Sequence, residues 1–138
     1  MHKTNPTCVP LHTDQINSHP VRFFRSPIND GRPDFPWTCL GDLIAAFGLT
    51  DQLRNLSGER LLKISAEAMD VATNDGMVTL IPHPDAQGFV HSMLKLQGVD
   101  AAEEYKYAGA AAFHKQLTDM TDKEVMAYSQ AAVARWKE

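Results

Sequence analysis

Cysteine is scarce in this chain: the two thiols, Cys8 and Cys39, are far apart and form no CxxC pair, which argues against a disulfide framework and for reduced thiols. No apolar run approaches the length of a membrane span, and the stretch MHKTNPTCVPLHTDQ lacks the continuous apolar segment of a secretory leader. A cytosolic protein without membrane association is therefore expected. No cluster of the KRKK kind occurs either, so broad electrostatic binding to nucleic acid is not expected and any such contact must use a local patch. The patterns GxSxG, HExxH, GxxxxGK[ST] and GxGxxG are all missing, which removes the common nucleophile, zinc and phosphate-cradle chemistries. A protein without cofactor or enzymatic activity is the expectation.

What is present fits one modest core. A chain of 138 residues with 43% apolar residues can bury a single domain. The net charge of −4 is uneven. Up to Met69, seven basic residues, among them Arg22, Arg25, Arg32 and Arg54, balance seven acids; beyond it, six basic residues face ten acids. The acidic excess lies wholly in the C-terminal half.

Residues 1–20 carry Pro6, Pro10 and Pro20 among polar residues without periodicity, which reads as a loosely held arm preceding a single domain over 21–138. Cys8, His12, Asp14 and His19 include metal-ligand types, but their spacing matches no established zinc pattern, so no metal is expected. In the following stretch, Val21, Phe23 and Phe24 interleave with Arg22 and Arg25 as in a half-buried strand. The turn signal Asn29-Asp30-Gly31 follows, and Pro33 and Pro36 restrict Phe35 to Thr38 to a short or edge strand. Leu40, Leu43, Ile44 and Phe47 make one helical stripe that Gly48 should close in a left-handed cap. Thr50 could cap a further short helix bearing Leu53 and Leu56, whose opposite side offers Gln52, Arg54 and Asn55. Those three are the base-reading side chains if the pair forms a helix-turn-helix, although a plain helical corner explains the pattern better.

Further on, Leu62, Ile64, Ala66 and Ala68 alternate with polar residues, the period of a strand, and Asn74-Asp75-Gly76 before Met77-Val78-Thr79-Leu80-Ile81 reads as a hairpin. Pro84 and Asp85 open a helix whose stripe is Ala86, Phe89, Val90, Met93 and Leu94, with Gly98 as its stop. His83 and His91 have acid-base chemistry but no adjacent nucleophile motif; capping or surface roles are expected. Asp100 with Glu103, and Thr121 with Glu124, have capping-box spacing and start two more helices from about residue 100. These carboxylates, with Glu104, Asp119 and Asp122, read as helix-start groups and not as a catalytic pair. Ala108, Ala110, Ala111 and Ala112 allow close helix approach. A homodimer or partner interface through Tyr105, Tyr107 and Trp136 is a minor alternative to packing on the core. The fold class is α+β: a small antiparallel sheet of two hairpins packed with short helices, then a C-terminal helical hairpin.

The order of aromatic strand, DG turn, PWTCLGDLIAAFGL, short polar helix, strand and NDGMVTLIPHPDAQGFVHSM resembles the N-terminal domain of phage antirepressors and the related BRO-N family over roughly half of the chain. The residues that carry the resemblance are Asp30, Gly31, Trp37, Asp42, Phe47 and Gly48, then Leu80, Ile81, Ala86 and Phe89. Pro33-Asp34-Phe35-Pro36 and the acidic C-terminal half depart from the pattern. The resemblance implies a regulatory protein of a phage or mobile element that binds DNA or a repressor protein, with Arg22, Arg25, Arg32 and Arg54 touching phosphate or an acidic surface. The alternative expectation is an inhibitor of a host nucleic-acid-binding or defence complex, its acidic helices imitating phosphate charge.

Overall fold

A computed structural model describes residues 8–28, 35–49, 59–93 and 99–136. Its elements are β1 (His12–Ile16), β2 (His19–Phe24), β3 (Trp37–Cys39), α1 (Leu40–Ala46), α2 (Glu59–Ile64), β4 (Met69–Thr73), β5 (Gly76–Ile81), α3 (His83–Ser92), α4 (Val99–Asp119) and α5 (Asp122–Trp136). The strands form one antiparallel sheet in the order β1-β2-β3-β5-β4, so the fold is α+β and ends in a pair of helices.

Of the supposed arm, His12–Ile16 is a strand, and residues 1–7 lie outside the described residues. β1 pairs with β2 from His12 opposite Phe23 to Ile16 opposite His19, across a two-residue turn in which Asn17 and Ser18 have φ of 53° and 63°. Two successive positive-φ residues twist a tight hairpin in the same sense as its strands. The prolines and polar residues conceal this, because only Ile16 of β1 is fully buried. The Asn17 side chain also donates to the Ala46 carbonyl at 3.1 Å, tying the turn to the end of α1.

The sheet is curled. Leu11 donates to the Phe23 carbonyl at 2.8 Å on the β1 side, yet Cys8 donates to the Ala72 carbonyl at 2.8 Å and bridges Thr73 on the free edge of β4. Those three residues reach about 10 Å at most, whereas crossing a flat sheet of this order takes about 19 Å at the usual strand spacing. The two edges must therefore approach each other, giving a half-closed barrel. Its inside holds Phe24, Trp37, Cys39 and Leu80, with Cys8, Val71 and Val78 packed against them. Its outside carries Ile16, Val21, Phe23 and Ile81 beneath the helices. Phe23 and Phe24 are both about 1% exposed because neighbouring residues of a strand point to opposite faces and both faces here are covered.

β3 runs into α1 without a linker, and the helix lies against β2 and β5. Leu40, Leu43, Ile44 and Phe47 form its buried stripe. Gly48, at φ 69°, closes it: the Gly48 amide donates to Ala45 at 3.0 Å and the Leu49 amide to Ile44 at 2.9 Å. Both expectations for this helix hold, and the hairpin at 74–76 holds too, with Thr73 opposite Gly76.

Elsewhere the sequence reading needs correction. Residues 59–64 are helix, not strand, since Leu61 and Ile64 reach the core three positions apart and the alternation to Ala68 masks that spacing. β4 begins only at Met69. α3 ends at Ser92, well before Gly98, with Met93 as its last cap. Asp100 lies inside the first turn of α4 and is not its cap, while Thr121 and Glu124 do form a capping box through contacts of 3.2 and 3.3 Å. The turn at 29–31, the short helix after Thr50, and Leu94 with Gly98 lie outside the described residues.

Candidate binding groove between α3 and α4

Two of the nominated cations are engaged by carboxylates of the same chain. Arg22 reaches the start of α1: its Nε and Nη2 donate to the Asp42 carboxylate at 2.8 and 3.1 Å, its backbone amide donates to the same carboxylate at 2.9 Å, Nη2 reaches Cys39 Sγ at 3.7 Å, and Nη1 lies 4.0 Å from the Asp75 carboxylate. The hydrogen bonds and charge of Asp42 push the guanidinium pKa further up, so Arg22 stays charged and held in place. Burial raises the Cys39 thiol, which is therefore protonated and not poised as a nucleophile. Arg25 donates to Glu124 at 2.6 Å, and the Thr121 amide together with Arg25 holds that carboxyl below its ordinary range. This exposed pair fastens the start of α5 to the end of β2. It is worth little, up to about 1 kcal/mol.

Neither arginine is presented as a bare phosphate contact. Arg32, Gln52, Arg54 and Asn55 lie outside the described residues. The proposed interface tyrosines separate: Tyr107 is 70% exposed, but Tyr105 is 2% exposed and belongs to the core, and the side chain of Trp136 lies outside the described residues. For Tyr105 the core packing weighed above an interface is what the structure shows: its position one turn from Ala101 and Ala108 puts it on the buried stripe of α4. Among the N-terminal metal-ligand types, His12 meets Asp14 at 3.4 Å on β1. Among the described residues no group of three or more His, Cys, Asp or Glu side chains is placed to hold a metal ion.

A concave feature of about 530 Å³ lies between α3 and α4, lined at one end by Phe35 and Phe113. Its base is a run of rings. His83 lies nearly parallel to Tyr105 (6.2 Å, 14°) and stacks on Phe35 (5.5 Å), which meets Phe113 at 4.7 Å. His83 is therefore neither a cap nor a surface residue, as first expected, but part of this stack. The cap of α3 is Pro82. Gly109 lies beside the imidazole: a Cβ there would meet His83 Cε1 at 3.8 Å, an ordinary van der Waals contact. Along α4, Ala102, Glu103, Lys106, Ala110 and Phe113 form one stripe of about three turns, opposite Gln87 and His91 on α3. Small residues make the depth, and the rim is polar. Gln87, His91, Glu103 and Lys106 are exposed and make no hydrogen bond or ion pair with the described residues.

The chain matches no family model, no curated protein and no solved structure. The groove was hidden in the sequence because its stripe mixes Ala, Glu, Lys and Phe, a composition that reads as a wet helix face. The usable signal was the run of small residues from Ala108 to Ala112 beside Phe113.

Tyr105 anchors the groove from below. Its hydroxyl and that of Thr38, on the outer face of β3, lie 3.2 Å apart, and burial pushes the phenol up from 10.0 to about 12. A raised folded-state pKa means that this stabilisation is complete below pH 10 and is lost as pH rises toward about 12. The drop amounts to about 2–3 kcal/mol, at 1.36 kcal/mol per unit. Tyr105→Phe should remove most of that alkaline loss while costing about 1 kcal/mol at neutral pH, because Thr38 loses its partner. Unfolding free energy measured against pH for both proteins checks this.

Proposed function

We propose that this protein is a non-enzymatic regulatory binding module of the antirepressor type, whose target is a protein and not DNA. The groove between α3 and α4 carries the reading: it pairs a floor of stacked rings with a rim of unpaired polar side chains, the composition of a protein-recognition site. The engagement of Arg22 by Asp42 and of Arg25 by Glu124 favours the protein target over phosphate. The acidic excess of the C-terminal half weighs the same way. Among the described residues no helix is long and apolar enough to cross a membrane, and the reading needs none.

The test is a gel-shift assay with candidate phage repressor–operator pairs and a mixed-sequence duplex. The protein alone should leave a mixed-sequence duplex unshifted at low salt and should dissolve the repressor–operator complex when added in proportion to the repressor. A low-salt shift of the duplex whose affinity falls steeply with added salt would instead establish DNA binding. If the duplex stays unshifted and the repressor complex survives, the antirepressor reading fails.

A further inference from the structure

We infer that the groove between α3 and α4 receives an aromatic side chain of a partner polypeptide, with a basic residue on one flank of that side chain and an acidic residue on the other. The inference rests on the protein-target reading above and names the chemistry of the contact.

The rings come first. Tyr105, His83, Phe35 and Phe113 form a connected run of near-parallel or tilted rings, continued into the core by Phe23 at 5.9 Å from Tyr105, and all four line the cavity. A flat ring seated in that cavity can meet these side chains offset or edge-on, because such aromatic pairs attract beyond the area they bury. A volume of about 530 Å³ is ample for one large side chain and part of its backbone. Ala102, Gly109 and Ala110 leave the α4 side of the groove open enough for that backbone to approach.

Charge then fixes the flanks. Glu103 and Lys106 stand one turn apart on the same rim, both exposed and neither paired with a described residue. Opposite signs at fixed positions recognise opposite signs on the partner: a base over Glu103 and an acid over Lys106. A phosphate chain would meet the Glu103 carboxylate directly, which excludes nucleic acid here. A second copy of this chain is the competing occupant. The exposed apolar residues of α5, Val125, Met126 and Val133, are aliphatic and do not supply the ring, but Tyr107 could.

The probe is a short peptide, acetylated and amidated, with a central tryptophan, a lysine on one side and a glutamate on the other. It is titrated into the isotope-labelled full chain and followed by amide chemical shifts. The expected result is saturable shifts confined to residues lining α3 and α4. Alanine in place of the tryptophan should weaken binding about tenfold or more. The charge-exchanged variant E103K/K106E should lose about threefold for this peptide and regain it for one with lysine and glutamate exchanged. Both variant positions are exposed, so folding is retained and is checked by thermal melting.

Absence of shifts in the groove, or an E103K/K106E variant that does not distinguish the two peptides, would overturn the inference. So would free tryptophan binding as tightly as the peptide, which would mark a small-molecule site. A dimer in sedimentation that Tyr107→Ser dissolves would assign the groove to a second copy. Peptide binding together with an intact repressor complex would sink the antirepressor reading alone and leave the groove chemistry standing.

Discussion

Replacing Trp37 with alanine should lower the unfolding free energy by about 3–5 kcal/mol, the usual cost of truncating a fully buried aromatic. Trp37 is 2% exposed and packs inside the curled sheet with Phe24, its register partner on β2, and with Cys39 and Leu80. Cys8, which bridges Thr73 where the sheet edges approach, packs against this second cluster. Were this face open to water, the substitution would cost far less. Small domains have a total stability of roughly 5–15 kcal/mol, so the variant should lose a large part of its margin. Urea unfolding followed by far-ultraviolet dichroism measures it. A loss below about 1 kcal/mol would mean that the inner face is not packed.

Removing the Asp42 carboxylate should cost about 2 kcal/mol for Asp42→Ala, since the partly buried guanidinium then keeps only the exposed Asp75 at 4.0 Å and Cys39 Sγ at 3.7 Å. The carboxylate receives both the guanidinium and the backbone amide of Arg22, so alanine takes the carboxylate acceptor from all three donors together. Asp42→Asn should cost less, because its carbonyl oxygen can still accept from the Arg22 amide. The double change Arg22→Met with Asp42→Ala should be less destabilising than the sum of the single changes, by about 1 kcal/mol or more. Additive losses in that cycle would contradict the coupling. The same cycle bears on function, because a strongly coupled Arg22 is not offered to phosphate.

Legibility followed the strength of local physics. The α1 stripe with its Gly48 cap, the hairpin at Asn74 to Gly76 and the Thr121–Glu124 box were readable because each is fixed by residues within one or two turns. β1 was not, since its pairing is set by the positive-φ turn at Asn17 and Ser18 and by one buried residue, Ile16, which is too little for a periodic signal. The curl of the sheet is a long-range outcome, linking Cys8 to Thr73. α2 misled because Leu61 and Ile64 are spaced for a helix while Leu62 to Ala68 alternates as a strand would.

The groove was the least readable part. Phe35, His83, Tyr105 and Phe113 come from a connector and two helices and meet only in the folded chain. The arginines, by contrast, stood out in the sequence as free cations, and their acceptors Asp42 and Glu124 became apparent only in the structure.

The most direct measurement of protein recognition through this groove is calorimetric titration, into the wild-type chain, Lys106→Glu and Arg25→Ala, of a repressor whose operator complex the protein dissolves. Lys106→Glu should weaken binding roughly tenfold, or about 1.4 kcal/mol, with unchanged thermal melting, and Arg25→Ala should leave the affinity near that of wild type. Equal affinity for wild type and Lys106→Glu, with the loss appearing at Arg25→Ala instead, would place recognition on the β2 side and contradict it.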